Sequence, residues 1–99
     1  MLSNPYFRSR KNLQMEVKSL FEKAVEDSEA LKDRPSNDTL LQLYAYYKQA
    51  TIGDVNVAPP DNPFDFVAKA KFEAWAALKG KTNEQAEQEY INLVNKLKS

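Results

Sequence analysis

The sequence predicts an all-α bundle of four helices, and two observations carry that expectation. Apolar residues recur at three- and four-residue intervals through four segments, each bounded by proline, glycine or a capping residue. No stretch alternates apolar and polar residues as a half-buried strand would. With 99 residues the chain makes one domain and one core, burying roughly two-thirds of its unfolded surface.

In the first segment, Val17, Leu20, Phe21, Ala24, Val25, Ser28 and Leu31 repeat at helical spacing and Pro35 blocks continuation, which predicts a helix over about Met15 to Leu31. The second helix starts near Asn37, where Ser36 or Asn37 can cap the free amides. It ends at Gly53, a residue suited to a left-handed exit turn. Thr51, Asp54 and Asn56 at that exit are expected to satisfy backbone groups. From Asp54 to Pro63 three prolines fix φ and remove donors, so this is a stiff loop. Asp65 is a natural N-cap for a third helix that runs through Phe66, Ala70, Trp75 and Leu78 to Gly80, with Trp75 assigned to the core. Thr82 and Gln85 stand in capping-box register at the start of a fourth, which continues through Ala86, Tyr90, Leu93, Val94 and Leu97.

The first fifteen residues differ from the rest. Arg8, Arg10 and Lys11 give them a charge of +3 with no acid before Glu16, leaving −3 on the remainder. A basic, acid-free start has the composition of a transit peptide, but without a clear amphipathic stripe it is read as a frayed tail, residues 1–15 preceding a domain over 16–99.

Fourteen basic and fourteen acidic residues cancel, which speaks against a nucleic-acid binder; any anion must be gripped locally. Without Cys there is no disulfide, thiolate nucleophile or zinc-thiolate site, and without His the best proton-transfer side chain near neutral pH is missing. The chain therefore reads as non-catalytic, with no catalytic residue and no metal ligand to name. No apolar run approaches the roughly 18 residues of a membrane span, so a soluble protein is expected.

The run YAYYKQATIGDVN, Tyr44 to Asn56, stands out, with KAKFEAW following at Lys69 to Trp75. At about 100° per residue Tyr44, Tyr47 and Lys48 share one helix face, two phenol rings flanking an ammonium, which suits a ligand both anionic and flat. By residue type alone a lysine such as Lys48 or Lys71 is more often a solvated charge and a tyrosine more often core.

Together with FEKA at Phe21, LKDRP at Leu31, LKG at Leu78 and AEQEY ending at Tyr90, these segments resemble the acyl-CoA-binding protein family, also called the diazepam-binding inhibitor family, over about four-fifths of the chain. The resemblance implies an up-down-down-up four-helix bundle that carries medium- to long-chain fatty acyl-CoA esters with high affinity for transport, sequestration and pool formation. It implies no cofactor and no bond-breaking chemistry. It further implies a cytoplasmic monomer whose transient contacts are with membranes or with enzymes that use acyl-CoA.

Position by position, the resemblance assigns the 3′-phosphate of the ligand's adenosine to Tyr44, Lys48 and Lys71, and adenine stacking to Tyr47. Tyr90 closes the nucleotide site from the fourth helix. Ala24 is the small residue where the first helix approaches the ligand, and Leu40 and Leu41 touch the acyl tail. Charge-assisted contacts of this kind contribute about 1.5 to 3 kcal/mol each when shielded.

Three departures stand out. Glu29 occupies a position where many members carry a lysine near the phosphates, with Lys32 one turn on as a compensating charge; Phe72 replaces a common tryptophan and loses its indole donor; and the loop around Asn62 is one residue longer. A helical adaptor using the tyrosine face as a protein-binding patch is the alternative reading, and a thioester hydrolase is disfavoured by the missing His and Cys.

Overall fold

The computed structural model describes residues 10–99, with side chains from Leu13 on, so only residues 1–9 of the basic start read over residues 1–15 lie outside them. Four helices follow in order, α1 (Arg10–Glu29), α2 (Asn37–Thr51), α3 (Phe66–Ala76) and α4 (Asn83–Lys98), and no strand forms among the described residues.

Helix α1 starts about five residues before the predicted Met15 and stops two before Leu31. The apolar stripe that marked its start begins only at Val17, whereas the preceding Arg, Lys, Leu, Gln and Met residues are good helix formers and extend the helix without needing a buried face. Gln14 Nε2 donates to Glu84 on α4, which ties this end down.

At the next helix, Ser36 caps α2 by accepting from the Thr39 amide at 3.2 Å. The amides of Ile52 and Gly53 both return to the Lys48 carbonyl, and Gly53 takes φ 106°, where a side chain would be strained. Helix α3 is capped by Asp65, whose carboxylate accepts from the Ala68 amide at 3.0 Å, but it ends at Ala76 rather than at Gly80. Tighter three-residue turns carry the chain on, Leu78 N–H to Trp75 O and Lys79 N–H to Ala76 O, as far as Gly80 at φ 92°. The Thr82–Gln85 capping box of α4 is complete in both directions.

Side-chain partners set the directions of the helices. Gln14 meets Glu84 and Asp27 meets Lys98, so α1 and α4 run parallel. Asn83 reaches the Ala50 carbonyl near one end of the α2–α4 pair while Tyr47 faces Tyr90 further along, so α2 runs against α4. Leu41 lies by Val67 and Lys48 by Trp75, so α2 and α3 are parallel. The result is the up-down-down-up arrangement, with packing pairs α1–α4, α4–α2 and α2–α3. Parallel neighbours need a return connection: α2 is about 22 Å long at 1.5 Å per residue, and the extended proline-rich segment between Ile52 and Asp65 is long enough to cover that distance.

The core is built mainly from α1, α2 and α4: Phe21, Ala24, Leu43, Ala50, Ala86, Tyr90, Ile91 and Val94. Two members of the predicted stripes are exposed. Leu20 and Phe66 stand in solvent: the main packing partner of α1 is α4, and the first turn of α3 lies away from the core cluster. Trp75 is buried as expected, and its indole donates to the Gly53 carbonyl at 2.8 Å.

A polar clamp joins the exit of α2 to the α3–α4 turn. Gln49, fully buried, donates to Asp54 Oδ1 and to the Lys81 carbonyl, both at 2.8 Å. Asp54 Oδ1 also accepts from the Gly80 amide at 2.8 Å, and Thr51 closes on the Tyr47 carbonyl. The Gly80 amide, then the Gln49 amide, hold the Asp54 carboxyl below its ordinary range, with Lys79 adding to the effect.

Candidate functional site

Tyr44 occupies the centre of the exposed α2–α3 face. Its ring is flanked by two ammonium groups, Lys48 Nζ at 5.8 Å and Lys71 Nζ at 5.3 Å from the centroid. This inverts the arrangement expected from spacing alone, in which two phenols flank one ammonium. Tyr47, three residues on, turns the other way, towards α1 and α4. Lys48 also sits 5.5 Å from the centre of the Trp75 ring, so its stem lies between two aromatic faces. No ion pair among the described residues includes Lys48 or Lys71. Two unneutralised cations against one ring repel each other, and an oxyanion placed between them would relieve that repulsion and accept from both.

Helix packing produces the second half of the site. Tyr47, 42% exposed, faces Phe21 with ring centres 6.0 Å apart and Tyr90 at 6.4 Å, while Phe21 and Tyr90 meet edge to face at 5.2 Å. Tyr90 is 4% exposed. Its hydroxyl lies 2.9 Å from Ser28 Oγ, and since Ser28 donates its own proton to the Val25 carbonyl at 2.7 Å, Tyr90 is the donor. Burial pushes the Tyr90 hydroxyl above the ordinary phenol range, and the Glu29 carboxylate adds to it.

These side chains line two clefts that share Leu40 and Tyr44. One, of about 370 Å³, opens between α1, α2 and α4 and is lined by Val25, Ser28, Glu29, Leu43, Tyr47 and Tyr90 besides the shared pair and Pro35. The other, of about 400 Å³, lies between α2 and α3 and is walled by Leu41, Phe66, Val67 and Ala70, with Arg34, Asn37 and Lys71 at its rim. Six of the eight residues singled out from sequence line these clefts, and Lys48, which lines neither, stands against the shared Tyr44 ring. Ala24 is buried in the core and lines neither cleft.

The wider comparison points the same way. The family model described as "Acyl CoA binding protein" matches residues 18–94, and the chain is 48% identical over 81 residues to the acyl-CoA-binding protein homolog of Drosophila melanogaster, covering 82% of this chain and 93% of that one. The chain belongs to the acyl-CoA-binding protein family. The acyl-CoA-binding protein of Saccharomyces cerevisiae is likewise 48% identical, with 82% and 92% covered. Among solved structures, Oryza sativa acyl-CoA-binding protein 2 superposes with a TM-score of 0.76 at 38% identity, covering 82% of this chain and 89% of that one. The Moniliophthora perniciosa member gives 0.75 at 42%, covering 81% and 78%.

Within that family frame, the departures noted in the sequence have definite places. Glu29 lines the tyrosine cleft, whereas Lys32 lines a separate depression with Asp27, Asp33 and Lys98. Phe72 and Pro60 of the long loop line the same two depressions. Sequence reasoning missed Gln49 and did not foresee that Ser28 receives the Tyr90 hydroxyl. It also missed Arg34 and Val67 as cleft residues. Gln49 offered one signal, a polar residue directly beside the apolar Ala50 of α2; Arg34 and Val67 offered none, since a connecting segment and an exposed first turn carry no periodicity. Among the described residues no helix is long and apolar enough to cross a membrane, and no cluster of three or more potential metal ligands forms.

Proposed function

We propose that the chain carries medium- to long-chain fatty acyl-CoA in the cytoplasm, as a monomer, without making or breaking a bond. The observation that carries this reading is the joining of two chemistries at Tyr44: unpaired Lys48 and Lys71 on its ring, and an apolar groove beginning at Leu40 and Leu41 beside it. An amphiphile with a phosphorylated nucleotide at one end and an alkyl tail at the other satisfies both at once.

In this reading Lys48, Lys71 and the Tyr44 hydroxyl take the 3′-phosphate, and Tyr47 stacks on adenine. Tyr90, anchored by Ser28, stiffens the platform beneath Tyr47. Leu40 and Leu41 meet the tail, and Ala24 acts from the core by letting α1 lie close. The binding unit is residues 16–99. The tail supplies most of the affinity, at about 0.8 kcal/mol per methylene removed from water, and the cations exclude free fatty acids.

Calorimetric titration with a chain-length series, free coenzyme A and free palmitate tests this. Affinity is expected to fall about tenfold for every two methylenes removed from a fully buried tail. Equal binding of palmitate and palmitoyl-CoA would refute the role given to Lys48 and Lys71.

A further inference from the structure

The tyrosine cleft is chemically unlike the groove beside it. It brings three phenol rings, Tyr44, Tyr47 and Tyr90, and one carboxylate, Glu29, together with the apolar Val25 and Leu43, and no lysine or arginine lines it. Two of its hydroxyl protons are already committed, that of Tyr90 to Ser28 at 2.9 Å and that of Ser28 to the Val25 carbonyl at 2.7 Å. The Glu29 carboxylate has no such engagement: no ion pair among the described residues includes it.

An unpaired carboxylate among ring faces favours a cation. The face of an aromatic ring is the negative end of its quadrupole, so rings and carboxylate attract the same charge, and apolar walls suit an ammonium clothed in methyl groups better than a hydrated one. Tyr47 and Tyr90 stand 6.4 Å apart with their planes inclined at 57°, which makes a corner and not a flat stack. The opposing charges are Lys48 and Lys71, 5.8 Å and 5.3 Å from the centre of the Tyr44 ring, but neither lines this cleft. Their field weakens the hold on a cation without occupying its place. Because Leu40 and Tyr44 also line the groove between α2 and α3, an alkyl chain attached to a head group here continues directly into that groove.

We propose that the tyrosine cleft takes a second class of ligand, amphiphiles whose alkyl chain carries a methylated ammonium head. Glu29 and the rings of Tyr47 and Tyr90 hold the head, and the chain passes Leu40 into the groove between α2 and α3. Such a ligand competes with acyl-CoA, since both need Tyr47 and the same groove. The inference goes beyond the carrier reading, and only the competition rests on it.

The test is calorimetric titration of the full chain with dodecyltrimethylammonium, kept below its micelle-forming concentration, and with uncharged dodecyl maltoside. The ammonium is expected to bind about tenfold more tightly than the maltoside. Glu29→Gln is expected to weaken the ammonium about tenfold while tightening palmitoyl-CoA about twofold, and Lys48→Ala to tighten the ammonium about threefold while weakening palmitoyl-CoA. Changes of opposite sign on two ligands separate a role in the site from a folding defect. Glu26→Gln, an exposed acid of α1 outside the cleft, should leave the ammonium affinity unchanged. Equal binding of the ammonium and the maltoside would overturn the proposal, as would equal losses from Glu26→Gln and Glu29→Gln, which would reduce the effect to general surface attraction. Ammonium binding that bound palmitoyl-CoA does not displace would place the ligand elsewhere and equally overturn it. Failure of the carrier reading would appear separately, as absent palmitoyl-CoA binding with the ammonium titration intact.

Discussion

Replacing Lys48 or Lys71 by alanine removes one of the two ammonium groups that face the Tyr44 ring, and the structure sets how much each should matter. Lys48 is half-buried with its ammonium 5.8 Å and 5.5 Å from the Tyr44 and Trp75 ring centres, so a hydrogen bond from it to phosphate is partly shielded. Lys71 is exposed and touches one ring only. Charge-assisted bonds contribute about 1.5 to 3 kcal/mol, which places Lys48→Ala near a fiftyfold loss of palmitoyl-CoA affinity and Lys71→Ala near tenfold. Because both cations address one phosphate, the double variant should depart from additivity by about 1 kcal/mol. The assay is calorimetric titration with palmitoyl-CoA and with its 3′-dephospho analogue. Against the analogue each single variant should lose no more than about threefold, the residue of general attraction to the remaining phosphates. Equal losses on both ligands would refute the assignment of these lysines to the 3′-phosphate.

Three further outcomes are expected. Glu29→Lys replaces the acid lining the tyrosine cleft and should tighten palmitoyl-CoA binding about fivefold at low ionic strength, an effect that fades as salt is raised; unchanged titrations at low salt would remove Glu29 from the ligand's field. Val94→Ala opens a cavity at a fully buried position and should cost about 2 kcal/mol in urea denaturation with an unchanged slope. The carboxyls of Asp54, held by the Gly80 and Gln49 amides, and Asp27, held by Lys98, titrate below their ordinary value of 3.8. Their stabilisation is present above that value and is lost as pH falls through the folded-state values, so the thermal midpoint should drop below about pH 4. Asp54→Asn should flatten that drop, and a midpoint with the same acid slope would show that the clamp does not depend on the charge.

Much of the bundle was legible because its signals are local. The Thr82–Gln85 box, the Ser36 and Asp65 caps and the Gly53 exit each act within a few residues of themselves, and all four appear where the sequence put them. The start of α1 was not legible: an exposed helical turn needs only propensity, and propensity leaves no stripe to read. The end of α3 was also misplaced, because the Gly80 amide bonds to Asp54, twenty-six residues earlier, and no local pattern encodes that contact.

The candidate site divides the same way. Tyr44, Tyr47 and Lys48 declared themselves by spacing on one helix, and their kinship with a family followed from the order of short segments along the chain. Which ring faces which partner was decided only in three dimensions. The parallel packing of α3 on α2 brings Lys71 to Tyr44, and α4 running against α2 brings Tyr90 beneath Tyr47. The sequence by itself determined the helices, their ends and the types of side chain available to a ligand. Tertiary structure alone decided that two cations share one ring and that Glu29, not Lys32, enters the tyrosine cleft. It also left Phe64, Phe66 and Val67 uncovered. The physical reason is that helix periodicity orders residues around one axis, whereas which neighbour lies across from each face depends on how the axes pack.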